Sequence, residues 1–169
     1  MSRIVYVNGD YVPEEEAKIS VFDRGFLMAD AVYEVTAVLG GRLADFEAHL
    51  ARLDRSLDEI ALATPLNHKA LLALHVELVR RNALDEGIVY LEITRGSAER
   101  DFAHPDRPSP NVVAFTQNRP LIANPYAETG VKVVTIPDMR WKRRDIKSTS
   151  MLAQTMGKQE AKLRGAYEG

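Results

Sequence analysis

The chain has 169 residues, 46% of them hydrophobic and 27% charged, which is the composition of a folded soluble protein with enough apolar side chains for one real core. A formal net charge of -2 and a pI of about 6.1 provide no broad positive field, so nucleic acid and anionic lipid are disfavoured as partners. Zero cysteines exclude disulfides, zinc-thiolate sites and cysteine nucleophiles, and with no signal-like apolar run near Met1 and no membrane-length stretch the expected location is the cytoplasm.

Ile4-Val5-Tyr6-Val7 and Tyr11-Val12 flank Asn8-Gly9, a dipeptide that tolerates the positive φ angles of a hairpin turn. Val32 to Leu39 is rich in β-branched residues and is followed by Gly40-Gly41 and the short Arg42-Leu43-Ala44, which predicts a second hairpin. From Phe46 the period becomes helical: Phe46, Leu50, Leu53, Leu57 and Ile60 share one face, with Arg52, Arg55, Asp58 and Glu59 largely off it. Asn67 caps a second amphipathic helix expected to run to about Leu84. Ile88 to Thr94 and Val112 to Thr116 are strand candidates. Between them lies a polar loop with Arg95, Gly96, Arg100, His104 and three prolines, long enough to suggest function. Pro120, Asn124, Pro125 and Gly130 mark a connection between domains, with a boundary near residue 120. Val131 to Ile136 is expected to be a strand, and Thr149 to Leu163 a helix. The fold class is α/β of the α+β type. Residues 1–120 form a small N-terminal domain of mixed sheet and two helices, and 121–169 supply the first strand and helix of a second domain.

The segment Trp141 to Ser148 places Lys142, Arg143, Arg144 and Lys147 around Asp145 and Ile146. Taken alone it reads either as a solvated basic turn or as the setting of a catalytic lysine. Arg52 alone is one helix arginine among several, and Tyr33 alone a packed strand residue.

Several segments, in order along the chain, bear on that ambiguity. They are Asp23-Arg24-Gly25-Phe26 with Asp30-Ala31-Val32-Tyr33-Glu34, then His49-Leu50-Ala51-Arg52-Leu53, then Ile93-Thr94-Arg95-Gly96 with Arg100. Asp145-Ile146-Lys147-Ser148 follows, with Gly157-Lys158-Gln159-Glu160-Ala161 and Gly165-Ala166-Tyr167-Glu168. Together they resemble the D-amino-acid transaminase family, fold-type IV aminotransferases that use pyridoxal 5'-phosphate, over essentially the whole chain. The resemblance implies that Lys147 holds the cofactor as a Schiff base and then moves the proton between the substrate Cα and the cofactor. It implies that Arg52 contacts the cofactor phosphate, that Tyr33 lies in the substrate pocket, and that Arg100 recognises the substrate α-carboxylate. The family's histidine two residues after this arginine is replaced by Phe102, and His104 stands two positions further on. The expected reaction moves the amino group of a D-amino acid to a 2-oxo acid. Branched-chain L-amino-acid aminotransferase and aminodeoxychorismate lyase share the lysine and are alternatives, as is a non-enzymatic scaffold. Relatives continue well beyond Glu168-Gly169, with the acidic partner of the pyridine nitrogen and most phosphate-binding turns. The 169-residue chain alone is therefore expected to be inactive, and the complete protein to be a homodimer.

Overall fold

The structure, a computed structural model, describes residues 2–169. The chain divides into two compact units. One runs up to Leu121 and also includes Ile146–Thr149; the other consists of Ile122–Asp145 and Ser150–Gly169.

The first unit is built on a six-stranded sheet of order β2-β1-β6-β5-β3-β4, with β1 Ile4–Val7, β2 Asp10–Pro13, β3 Ala31–Leu39, β4 Arg42–Leu43, β5 Glu86–Thr94 and β6 Asn111–Asn118. The expected mixed sheet is corrected here, because every one of its strand pairs is antiparallel. Both hairpins form as expected. Asn8 and Gly9 have φ of 52° and 111°, the positive pair that matches the twist of the strands they join.

Helices α2 (Phe46–Glu59) and α3 (His68–Arg81) supply the apolar face of the core. Leu50, Leu53 and Leu57 from α2 and Leu71, Leu74 and Leu78 from α3 lie in one cluster with Val32, Val38, Val89, Leu91, Ile93, Val112 and Ala114 of the sheet. Each such leucine contributes about 1.5–3 kcal/mol when fully buried. The Asn67 side chain accepts from the Ala70 N–H at 2.9 Å and starts α3. That helix stops at Arg81 rather than near Leu84, because Ala83 turns left-handed (φ 46°) and the Leu84 N–H bonds back to Val79.

A short helix that the pattern did not suggest, α1 (Arg24–Met28), follows Asp23, whose carboxylate caps it by accepting from the Gly25 and Phe26 N–H groups. Gly25 is required there, since a Cβ would lie 2.6 Å from Thr94 Cγ2.

In the second unit, α4 (Tyr126–Thr129) is a single turn and α5 spans Leu152–Leu163. The expected strand over Val131 to Ile136 is not formed: the segment has one isolated parallel bridge, Val133 to Glu168, and Val133 is exposed. A strand exists by its neighbours, and a single bridge supplies too few ladder bonds. The helix expected from Thr149 begins three residues later because the Thr149 N–H is committed to the Ala31 carbonyl. Among the described residues no helix is long and apolar enough to cross a membrane.

Candidate active site

Strand β4 pairs only with Val38 and Leu39, which leaves the first half of that edge of β3 open. Residues 146–149 occupy it. The Tyr33 N–H donates to the Lys147 carbonyl at 3.0 Å, the Thr149 N–H donates to the Ala31 carbonyl at 3.2 Å, and Val32 bridges Ser148. Ile146, the aliphatic residue of the basic segment, drops into the core. From the helix side the buried Ser56 of α2 accepts the Lys147 N–H at 3.2 Å. The backbone of Lys147 is thus held from two directions, and its amine stands 4.0 Å from the centroid of the Tyr33 ring. That cation–π contact is its anchor, since among the described residues Lys147 has no carboxylate partner. Neighbouring Arg143 and Arg144 pair instead with Asp145 and Asp138.

Glu34, next to Tyr33 but on the helix-facing side of β3, is 2% exposed. Its carboxylate takes a two-pronged contact from Arg52 (Nε to Oε1 and Nη2 to Oε2, both 2.7 Å) and lies 2.8 Å from His49 Nδ1. Residues 49, 52 and 56 recur at helical spacing, so one stripe of α2 meets both Glu34 and the Lys147 backbone. Burial pushes the Glu34 carboxyl up, but hydrogen bonds and charge from Arg52 and His49 outweigh it and leave the pKa below the ordinary value. Glu34 in turn raises the pKa of Arg52, opposed by partial burial. The pair consumes Nε and Nη2 of Arg52 and leaves Nη1 for another acceptor.

On the opposite face of the sheet Tyr33, Tyr90 and Phe115 form a stacked ladder, with ring centroids 5.6 and 4.9 Å apart. The Tyr90 hydroxyl donates to Glu92 at 2.7 Å. Burial raises the pKa of Tyr90, reinforced by Glu92, and burial likewise raises that of Glu92 against the Tyr90 hydrogen bond.

Arg100 and His104 sit elsewhere, on the exposed loop between β5 and β6. Arg100 lies over the Phe102 ring at 5.3 Å, and among the described residues neither it nor His104 hydrogen-bonds to Lys147 or Tyr33. Of the residues picked from sequence, Lys147, Tyr33 and Arg52 gather around the start of β3, and Arg100 and His104 do not join them within this chain. Glu34, Ser56 and Thr149 were not singled out. Glu34 had a signal, the one charged residue in an otherwise largely apolar strand, whereas Ser56 looks like any helix serine.

These residues fit a ligand that offers an electrophilic carbon to an amine and a phosphate to an arginine. Among the described residues Lys147 brings an amine without an ion-pair partner, Arg52 an uncommitted Nη1, and Thr149 a buried hydroxyl with no hydrogen-bond partner. Among the described residues no cluster of His, Asp and Glu could hold a metal ion.

Comparison with known proteins points the same way. Residues 31–169 match the amino-transferase class IV family. A D-alanine aminotransferase of Staphylococcus aureus (strain MSSA476) is 36% identical over 167 residues, 97% of this chain and 58% of that protein, so the chain spans somewhat over half the length of such relatives. Among solved structures, the Escherichia coli branched-chain amino acid aminotransferase superposes with a TM-score of 0.85 at 17% identity, covering 100% of this chain and 57% of its own; it shares the fold. The Pseudomonas aeruginosa 4-amino-4-deoxychorismate lyase gives 0.71 at 28% identity, over 92% and 56%. An amine-bearing lysine on the open edge of β3, an arginine one helix turn from the serine that holds it, and these likenesses together identify the chain as a member of the class IV aminotransferases.

Proposed function

We propose that this chain carries the lysine half of a pyridoxal-phosphate transaminase acting on D-amino acids, with Lys147 as the covalent attachment point. The observation that carries the reading is the Lys147 amine, half-buried on the Tyr33 ring and free of any carboxylate among the described residues. A lysine held as its ammonium ion by a salt bridge is a poor nucleophile, and among the described residues Lys147 has no such pair to break. Pyridoxal phosphate, when bound, supplies the carbonyl carbon that receives the amino group and the electron sink that makes the substrate Cα acidic. Lys147 would serve with one nitrogen in two ways, holding that carbon and moving the proton at the substrate Cα. Tyr33 walls the site and limits the travel of the amine. Arg52, steadied by Glu34, offers Nη1 to the phosphate. Arg100 binds the substrate α-carboxylate, with His104 on the same loop. Preference for the D-series rests on the 36% identity to D-alanine aminotransferases over nearly the whole chain. The active form is a homodimer in this reading, consistent with exposed Val21, Phe22, Phe26 and Phe102 in the first unit.

The test is chemical. Purified protein is incubated with pyridoxal phosphate, reduced with borohydride and digested, and the label is expected on Lys147 in preference to Lys142, Lys158 and Lys162. Label spread evenly over those lysines refutes the assignment. Turnover with D-alanine and a 2-oxo acid, set beside L-leucine and aminodeoxychorismate, then separates the three activities found on this fold.

A further inference from the structure

We infer that Arg24 is the positioning residue for the Arg100 loop, acting from a buried ion cluster on the peptide beside Arg100; this rests on the assignment of Arg100 to the substrate carboxylate. The loop from Gly96 to Pro110 is fastened at its two ends. At its start the Arg24 N–H donates to the Gly96 carbonyl at 2.9 Å, the Ala98 N–H donates to Phe22 at 3.3 Å, and Asp23 bridges Ser97. At its end Asn111 Nδ2 donates to Asp23 Oδ2 at 2.6 Å, and the same oxygen accepts from the Thr94 hydroxyl at 2.7 Å.

Between those ends residues 99–104 are exposed, yet one bond reaches them from the interior. Arg24 Nη1 donates to the Asp101 carbonyl at 2.6 Å. The Arg24 side chain is only 3% exposed, and its Nε is fixed on Asp30 Oδ2 at 2.7 Å. Asp30 is fixed in turn by Arg95 Nε at 2.8 Å. The guanidinium is therefore immobilised before it meets the loop, and its planar fork carries that rigidity to the residue following Arg100. A carboxylate-binding arginine misplaced by about 1 Å loses much of its effect, so an anchor one residue away bears directly on substrate affinity. The Ala103 N–H to Asp101 Oδ1 bond at 3.1 Å and the stacking of Arg100 on Phe102 are internal to the loop and cannot replace it.

Arg24→Lys separates the two duties. An ammonium keeps a charge beside Asp30, but without the fork it cannot hold Asp30 and the Asp101 carbonyl in the same geometry. Amide hydrogen exchange is measured on wild type, Arg24→Lys and Arg24→Met. Residues 98–104 are expected to exchange about tenfold faster in the lysine variant, the loss of one good hydrogen bond, while amides of β3 and β5 keep their wild-type rates. Unchanged exchange at 98–104 overturns the inference, and so does equal acceleration across the sheet in Arg24→Lys; should Arg24→Met fail to fold, the lysine variant decides. In the transamination assay Arg24→Lys is expected to raise the KM for D-alanine about tenfold with kcat within about twofold. A fall in kcat at constant KM overturns the positioning role. If Arg100→Met leaves that KM unchanged while Arg24→Lys still loosens the loop, the anchor stands and the carboxylate assignment fails.

Discussion

Replacing Arg95 by methionine should cost the first unit about 3–5 kcal/mol of stability. The Arg95 side chain is 1% exposed and makes three contacts: Nε to Asp30 at 2.8 Å, Nη2 to the Ile60 carbonyl at 2.7 Å and Nη1 to the Ala61 carbonyl at 3.3 Å. The two carbonyls close the C-terminal end of α2, where a cation meets otherwise unpaired acceptors. Methionine preserves most of the aliphatic volume, so the cavity contribution is small and the loss is mainly electrostatic. Stranding the Ile60 carbonyl costs about 1–3 kcal/mol. The Ala61 carbonyl belongs to an exposed residue and can turn to water. Breaking a buried ion pair costs about 3–5 kcal/mol, but here Asp30 keeps Arg24, so its share falls to roughly half of that. Burial raises the Asp30 pKa and the hydrogen bonds and charges of Arg95 and Arg24 bring it below the ordinary value, so losing one arginine also weakens its ionised form. The assay is urea unfolding followed by circular dichroism at 222 nm, where about 4 kcal/mol corresponds to a midpoint shift of about 2 M. Trp141, the sole tryptophan, belongs to the other unit, so its fluorescence serves as a control. A loss below about 1 kcal/mol, or a shift confined to the Trp141 signal, would refute the reasoning.

Burial lowers the pKa of His75 from 6.5 to about 4, against a smaller opposing effect of the Leu71 carbonyl, which accepts from Nδ1 at 2.8 Å. The unfolded chain therefore takes up a proton between pH 6.5 and 4 that the folded chain does not. The contribution is fully present above pH 6.5 and disappears as pH falls to about 4, for a total of about 3 kcal/mol; His75→Leu should flatten that part of the urea-midpoint profile, and an unchanged slope would contradict it. Gly96→Ala should destabilise by about 3 kcal/mol, since its Cβ would lie 1.8 Å from the Ser109 carbonyl oxygen at φ +88°, and a wild-type melting temperature would show that the loop closes otherwise. A double-mutant cycle on Glu34→Gln and Arg52→Gln should give a coupling of about 1–2 kcal/mol, reduced from a fully buried pair because Arg52 is 41% exposed. Zero coupling would mean that Glu34 does not hold Arg52 in solution.

Local chemistry along the chain was enough to specify much of the first unit. Asn8-Gly9 admits the hairpin turn whatever surrounds it, Asn67 caps α3 with its own side chain, and the apolar spacing of Phe46, Leu50, Leu53 and Leu57 can bury one face only as a helix. The ordered segments around Tyr33, Arg52 and Lys147 likewise pointed to one family before any contact was known, and residues 31–169 match it.

What the sequence could not rank was residues of one type in similar settings. Arg95 and Arg100 stand five positions apart in one polar stretch, yet one is sealed beneath α2 and the other lies in solvent over Phe102. Arg24 stands in one of the family-like segments, but nothing local shows that its guanidinium joins nearby Asp30 to the Asp101 carbonyl 77 residues on. Val131 to Ile136 has the composition of a strand and lacks the ladder that would make it one. Periodicity, capping and turn preference act over a few residues and are written in the chain. Burial of a charge, the partner of a carboxylate and the neighbour of a strand depend on residues far apart in sequence, so the tertiary fold alone decides them.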